Sequence, residues 1–327
     1  MKKSSLLRTA AVAAILLALV VFGLPLFSHL YYGRSQAATL FAWQLEKDEF
    51  FSDYSFAEYL NEQRIANSAP YELPEDVEFT VPVSERASGD MQVFVLNEEA
   101  DRTIVYFAGG SYTDQPRRVH WVFLNALAED TGAQILVPIY PKLPDGTAET
   151  AYPVLMDFYQ DMLAGQAEDE LIFMGDSAGG GMALSFAMQL RDSRLAGPDK
   201  LILICPWLDV TLSNPDIDAY EKKDPALDAL QLIHLGLRWS AGLGTTDPVV
   251  SPLYGRFDRL GHITLITGTG ELLYPDIRLM SQMLTEAGID HRYLESSGMF
   301  HVWPLYIGYG IPETEETYAD IAAAVLA

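Results

Sequence analysis

The chain has 327 residues, of which 49% are hydrophobic and 20% charged, the balance of a folded rather than a disordered protein. Twenty-one Lys and Arg stand against 45 Asp and Glu, a formal charge of −24, and this acidity argues against the basic patch that binding to nucleic acid requires. The lone cysteine, Cys205, excludes an internal disulfide framework and a zinc site built on cysteines.

Residues 1–34 read as a membrane segment rather than as part of the fold. Lys2, Lys3 and Arg8 precede an apolar run from Ala10 to Phe27, and no charge follows until Arg34. With the polar but uncharged Ser28–Gly33 behind it, the run is long enough to span a bilayer. Tyr31 and Tyr32 fall where an interfacial aromatic belt lies, and the leading positive charges put the N-terminus in the cytoplasm and the rest outside. The expectation is therefore a membrane-anchored protein with an extracytoplasmic domain. The alternative is a secreted one, cleaved at the small residues Ser35-Gln36-Ala37. The rest of the chain is acidic enough to be repelled by anionic headgroups.

Residues 35–75 are aromatic-rich, with Trp43, Phe50, Phe51, Tyr54, Phe56 and Tyr59 at spacings that suit short amphipathic helices. Strands are expected at Val77–Val83 and Met91–Leu96, joined across a Ser-Gly turn, and at Thr103–Phe107. A helix over Pro116–Asp130 closes at Gly132, and Ile135–Ile139 is a buried strand. Thr147–Leu163 is helical, with Pro153 as a kink or break. Leu171–Met174 (strand), Ala178–Arg191 (helix) and Leu201–Cys205 (strand) continue the alternation. It lapses over 207–250 and resumes with strand His262–Thr267, helix Pro275–Ala287, strand His291–Glu295 and helix Glu313–Leu326. This order implies a mostly parallel sheet with helices on both faces. The 35–75 and 207–250 segments would cover the carboxyl ends of the strands, where ligands bind in such folds. The expected division is thus 1–34, 35–75, and a main domain 76–327 carrying a cap insertion at about 207–250.

The chemistry centres on Gly175-Asp176-Ser177-Ala178-Gly179, a G-x-S-x-G pentapeptide set between an apolar strand and a helix. That setting thrusts a serine hydroxyl into a cleft above a helix N-terminus. A serine needs a base oriented by an acid, in the order serine, acid, histidine on this architecture. His234 falls in the cover, and His262 and His291 begin strands at the wrong end of the sheet. His301 follows the last strand and is the expected base. Glu271, just past the preceding strand, is the expected acid. Asp276 is the alternative, although the first turn of a helix suits an aspartate without further purpose. The oxyanion donors are expected to be the amides of Ala178 and of Gly109 and Gly110, in the loop after Thr103–Phe107. Trp207, Trp239, Tyr220 and His234 could line an acyl pocket, or simply pack the cover. Asp209 and Asp218 lack metal-ligand spacing, and nothing points to a nucleotide or phosphate loop.

From about residue 76 to 326 the chain resembles the hormone-sensitive-lipase-like esterases of the α/β-hydrolase fold. The resemblance is carried by Gly175–Gly180, Ala108-Gly109-Gly110, Pro206-Trp207-Leu208-Asp209, Ser251-Pro252-Leu253-Tyr254 and Gly298-Met299-Phe300-His301. It implies a carboxylic ester hydrolase with a helical cap, no metal and no cofactor, acting on small or medium acyl esters. It carries the triad over to Ser177, Glu271 or Asp276, and His301, and the oxyanion donors to Gly109, Gly110 and Ala178. The chain departs from the family in having Ala108 where the loop usually begins with histidine, Ser111 for the third glycine, and Glu271 where an aspartate is usual. Rival readings are a binding protein on a hydrolase scaffold, motivated by Ala108, and hydrolysis of amides, lactones or glycan acetyl groups.

Overall fold

The computed structural model describes residues 19–47, 55–98, 100, 102–165 and 170–327. Part of the apolar run, residues 10–18, and the aromatics Phe50, Phe51 and Tyr54 lie outside them. Leu19–Tyr32 is helical, with mixed π and α turns, and Gly33 ends it in a left-handed conformation. Among the described residues, no helix is long and apolar enough to cross a membrane. Two helices follow, α1 (Gln36–Lys47) and α2 (Phe56–Ser68). A reciprocal capping box between Ser55 and Glu58 starts α2.

The core is an eight-stranded sheet in the order β1-β2-β4-β3-β5-β6-β7-β8. The strands are β1 (Val83–Ser88), β2 (Met91–Leu96), β3 (Arg102–Phe107), β4 (Gln134–Pro138), β5 (Glu170–Asp176), β6 (Lys200–Ile204), β7 (His262–Gly268) and β8 (His291–Ser296). Only β2 runs against the rest, pairing antiparallel with both β1 and β4. Its successive residues show why both faces need cover: Val93 and Val95 enter one apolar cluster, Phe94 and Leu96 the other. Helices α4 (Ala148–Gly165), α5 (Ala178–Asp192) and α7 (Tyr274–Glu286) pack on the first face. Helices α1, α3 (Arg118–Thr131) and α8 (Pro312–Leu326) cover the second. In the irregular stretch lies α6 (Ala229–Ser240).

One expectation needs correction and another is narrowed. Val77–Val83 alternates apolar residues with period two, yet it is not a strand. Its backbone turns to α3 instead: the Thr80 N–H donates to Asn125 Oδ1 at 2.9 Å, Phe79 meets Trp121 edge-on, and Pro82 has no N–H to give a ladder. The strand begins at Val83 and returns through the Gly89-Asp90 turn. Of the two outcomes expected at Pro153, a kink or a break, the break does not occur, since α4 runs across it.

Candidate active site

Ser177 sits between β5 and α5 with φ of +53°, a positive-φ conformation that costs a non-glycine residue on the order of 1–3 kcal/mol. Close packing enforces it. A Cβ on Gly179 would collide with the Phe107 carbonyl of β3, and one on Gly175 with the Gly179 carbonyl, so only glycine lets the helix start this near the sheet. The Ser177 hydroxyl makes no hydrogen bond with the described residues.

His301 lies in the loop after β8, 5% exposed. Its Nδ1 is 2.6 Å from Glu271 Oε2. The other oxygen, Oε1, accepts from Thr267 Oγ1 at 2.7 Å and from the Gly268 N–H at 3.0 Å. Glu271 is fully buried, so these bonds lock its carboxylate in place. Burial alone would lower the pKa of His301, but the Glu271 hydrogen bond and charge, with Asp224 and Asp176 beyond, raise it above the ordinary histidine value. His301 Nε2 is buried with no partner among the described residues, and His301 borders a cavity of about 90 Å³ also lined by Ser177, Gly110, Ser111 and Leu227. The chain thereby brings Ser177, Glu271 and His301 to one end of the sheet. The serine and histidine share a cavity without being hydrogen-bonded to each other, as in many uncomplexed active sites.

Asp276 is elsewhere. It lines a different cavity and accepts from Asn214 Nδ2 at 2.9 Å, so the geometry pairs His301 with Glu271. The extra methylene of glutamate fits because Thr267 and Gly268, at the end of β7, hold the carboxylate's far side.

The Gly109-Gly110 loop differs from expectation in one respect. The Gly109 N–H donates to Asp176 Oδ1 at 2.9 Å, so this amide is taken up by a buried carboxylate and is not free for an oxyanion. Gly110 and Ala178 have no such bond, and their amides remain the candidates. Asp176 also accepts from the Tyr106 hydroxyl at 2.7 Å and faces His120 Nε2 at 3.4 Å. Burial raises its pKa, but His120, Tyr106 and the Gly109 amide outweigh burial and leave it lowered. The Tyr140 hydroxyl donates to the Ala108 carbonyl at 2.9 Å. The loop is thus braced although the methyl of Ala108 can form no hydrogen bond. Tyr112 completes the support, its ring stacked 4.3 Å from Trp239 and 5.5 Å from Trp207. Those two tryptophans therefore clamp the loop rather than line an acyl pocket. Tyr220 faces the cavity of Asp276, and His234 packs on Phe56. Replacing Asp176 with alanine should strand the Gly109 amide and lower kcat/KM by about 10²-fold. Steady-state kinetics beside a thermal melt would check this.

Asp224 is a site-forming residue that the sequence reading missed. It accepts from the amides of Ala226 (2.8 Å), Leu227 (3.1 Å) and Leu272 (2.8 Å), tying the cover to the Glu271 loop. Burial pushes its carboxyl up to about 6, against the nearby His301 and these amides. An aspartate before a proline in an irregular stretch is a turn signal that could have flagged it. Leu45 of α1, and Asp114 and Arg117 beyond the oxyanion loop, also reach the cavity, and only the tertiary fold brings them there.

Cys205, Glu271 and His301 bring ligand-type atoms within 4.8 Å of one another. Burial first, and the Glu271 charge next, push the Cys205 thiol well above its usual range. Two of these three groups are already engaged with each other, Glu271 Oε2 lying 2.6 Å from His301 Nδ1.

Residues 104–305 match the alpha/beta hydrolase fold family, and the chain belongs to that family. Among its relatives are an acetyl-hydrolase of Streptomyces hygroscopicus, 29% identical over 63% of this chain and 69% of that one, and an esterase of Acinetobacter venetianus, 27% identical over 68% and 74%. A Staphylococcus aureus protein of known crystal structure superposes with a TM-score of 0.80, at 29% identity over 84% of this chain and 94% of that one.

Proposed function

We propose that the protein is a serine carboxylic ester hydrolase acting on short acyl esters. One observation carries the reading: His301 and Ser177 line the same cavity, and His301 Nε2 is buried with no partner among the described residues while its Nδ1 is tied to Glu271. A neutral imidazole with its proton on Nδ1 offers Nε2 as the base. Ser177 Oγ attacks the ester carbonyl as Nε2 takes the hydroxyl proton, and Glu271 stabilises the imidazolium that forms. The amides of Gly110 and Ala178 donate to the oxyanion, beside the N-terminus of α5. The tetrahedral adduct collapses, and the proton on Nε2 goes to the departing alcohol. Water then enters and attacks the acyl-serine as Nε2 takes its proton; the Oγ–acyl bond breaks, Nε2 returns that proton to Ser177 Oγ, and the acid leaves. Relatives named acetyl-hydrolase and esterase support the reaction class.

A cavity of about 90 Å³ holds the volume of roughly three water molecules, which favours acetyl over long acyl groups. Hydrolysis of p-nitrophenyl acetate, butyrate and octanoate is expected to fall in that order in kcat/KM. A preference for octanoate would overturn the short-acyl reading.

The localisation reading is an uncleaved anchor with the hydrolase domain outside the cytoplasm. Supporting it, Val20, Phe22, Leu26, Leu30 and Tyr31 expose apolar side chains along Leu19–Tyr32. The root of that segment is also bound into the domain: Arg34 donates to the Gly298 carbonyl at 2.9 Å, and the Ser35 hydroxyl to Glu313 at 2.8 Å. Cleavage after Ala37 would remove both contacts. The mature protein should resist alkaline extraction from membranes, and N-terminal sequencing that began at Ala38 would refute the anchor.

A further inference from the structure

Beside α7, a second cavity of about 370 Å³ opens between the first turns of that helix and the stretch 209–220. The ester chemistry does not use it. Three carboxylates, Asp209, Asp216 and Asp276, and three tyrosines, Tyr220, Tyr254 and Tyr274, line it. Asp276 is 1% exposed. Its Oδ1 accepts from Asn214, but its buried Oδ2 has no partner among the described residues. Burial pushes this carboxyl up to about 7, the Asn214 bond working against it and the charge of Asp209 with it. A buried acid in this condition is neutralised either by a proton or by a positive charge brought beside it.

Asp209 does not offer a second free oxygen. It accepts from the Thr211 amide and hydroxyl, the Ser213 hydroxyl and the Tyr254 hydroxyl at 2.7–2.9 Å. One uncommitted buried oxygen is a poor site for a divalent metal, which gathers about six or more oxygens. The aromatic walls suit an organic cation instead. The hydroxyls of Tyr254 and Tyr274 are tied to Asp209 and Glu295. The Tyr220 and Tyr274 rings meet at 5.1 Å, tilted by 40°. Tyr220 already attracts an ammonium group of this chain, Lys223 Nζ at 3.9 Å from the ring centroid. Lys223 borders a neighbouring cavity rather than this one. Arg278, at the rim, is exposed and engages the Tyr274 hydroxyl.

We propose that this cavity binds a small organic ammonium ion, with Asp276 Oδ2 as its counter-charge and the rings of Tyr220, Tyr254 and Tyr274 as its walls. The proposal stands apart from the ester reaction, since none of these residues touches the cavity of Ser177. Choline is a suitable probe, and 3,3-dimethylbutan-1-ol is its neutral counterpart of the same shape. Isothermal titration calorimetry of the full chain in detergent should show choline binding, and the neutral alcohol should bind at least about tenfold more weakly, a difference of ~1.4 kcal/mol. Asp276→Asn should weaken choline by a similar factor. Tyr220→Leu, at a half-buried position, should do so as well and carries the test if the first variant fails to fold. The proposal is overturned if choline does not bind, if the neutral alcohol binds as well, or if both folded variants bind choline as the parent does. It is equally overturned if calcium binds in an Asp276-dependent way that choline does not displace.

Discussion

Replacing Ser177 with alanine is expected to lower kcat roughly 10⁶-fold, toward the residual rate that binding and oxyanion donors sustain alone. The fold should survive. Ser177 Oγ makes no hydrogen bond with the described residues, so its loss leaves no buried partner unsatisfied, and alanine keeps the Cβ that already sits at φ +53°. Steady-state hydrolysis of p-nitrophenyl acetate, with a thermal melt to show an unchanged domain, measures both halves. Turnover at the parent rate in the folded variant would sink the serine mechanism outright.

The second large effect separates the two acids. Glu271→Gln should reduce kcat/KM by about 10³–10⁴-fold near neutral pH, whereas Asp276→Asn should leave hydrolysis close to the parent. Thr267 and the Gly268 amide both donate to Oε1. An amide placed to satisfy them turns its NH₂ toward His301 Nδ1, donor against donor. The imidazole then carries its proton on Nε2 and cannot act as base. The pH profile supplies a further readout. His301 must be neutral to accept the serine proton, and Glu271 holds its pKa above the ordinary value of 6.5. Activity should therefore fall as pH drops through a value above 6.5, and in the residual activity of Glu271→Gln that acid limb should move to lower pH. Equal losses in the two variants would mean that Glu271 is not the orienting acid.

Strands β3 to β7 were readable because each is built on a short apolar run, buried on both faces and bounded by turn residues, whereas β8 is more polar and only partly buried. β1 was not readable for the opposite reason. Its Val-Ser-Glu-Arg-Ala-Ser is mostly exposed and has no apolar pattern, while the alternating Val77–Val83 beside it finds its hydrogen-bond partner in Asn125 of α3. Ser177, Glu271 and His301 could be proposed from position, since the ends of parallel strands fall together whichever loops follow them.

Hydrogen-bond assignment was another matter. That Gly109 gives its amide to Asp176, and that Tyr140 braces the Ala108 carbonyl, depends on side chains 32 to 67 residues away in the chain. The sequence by itself determined the order of strands and helices, the strained serine turn and which residues could serve as base and acid, because these follow from local periodicity and from chain direction. The tertiary structure alone decided which carboxylate meets His301, which amides stay free for the oxyanion, how small the cavity is and that Asp276 Oδ2 has no partner among the described residues. Those outcomes depend on contacts of 2.6–2.9 Å between segments far apart in sequence, and no local pattern encodes them.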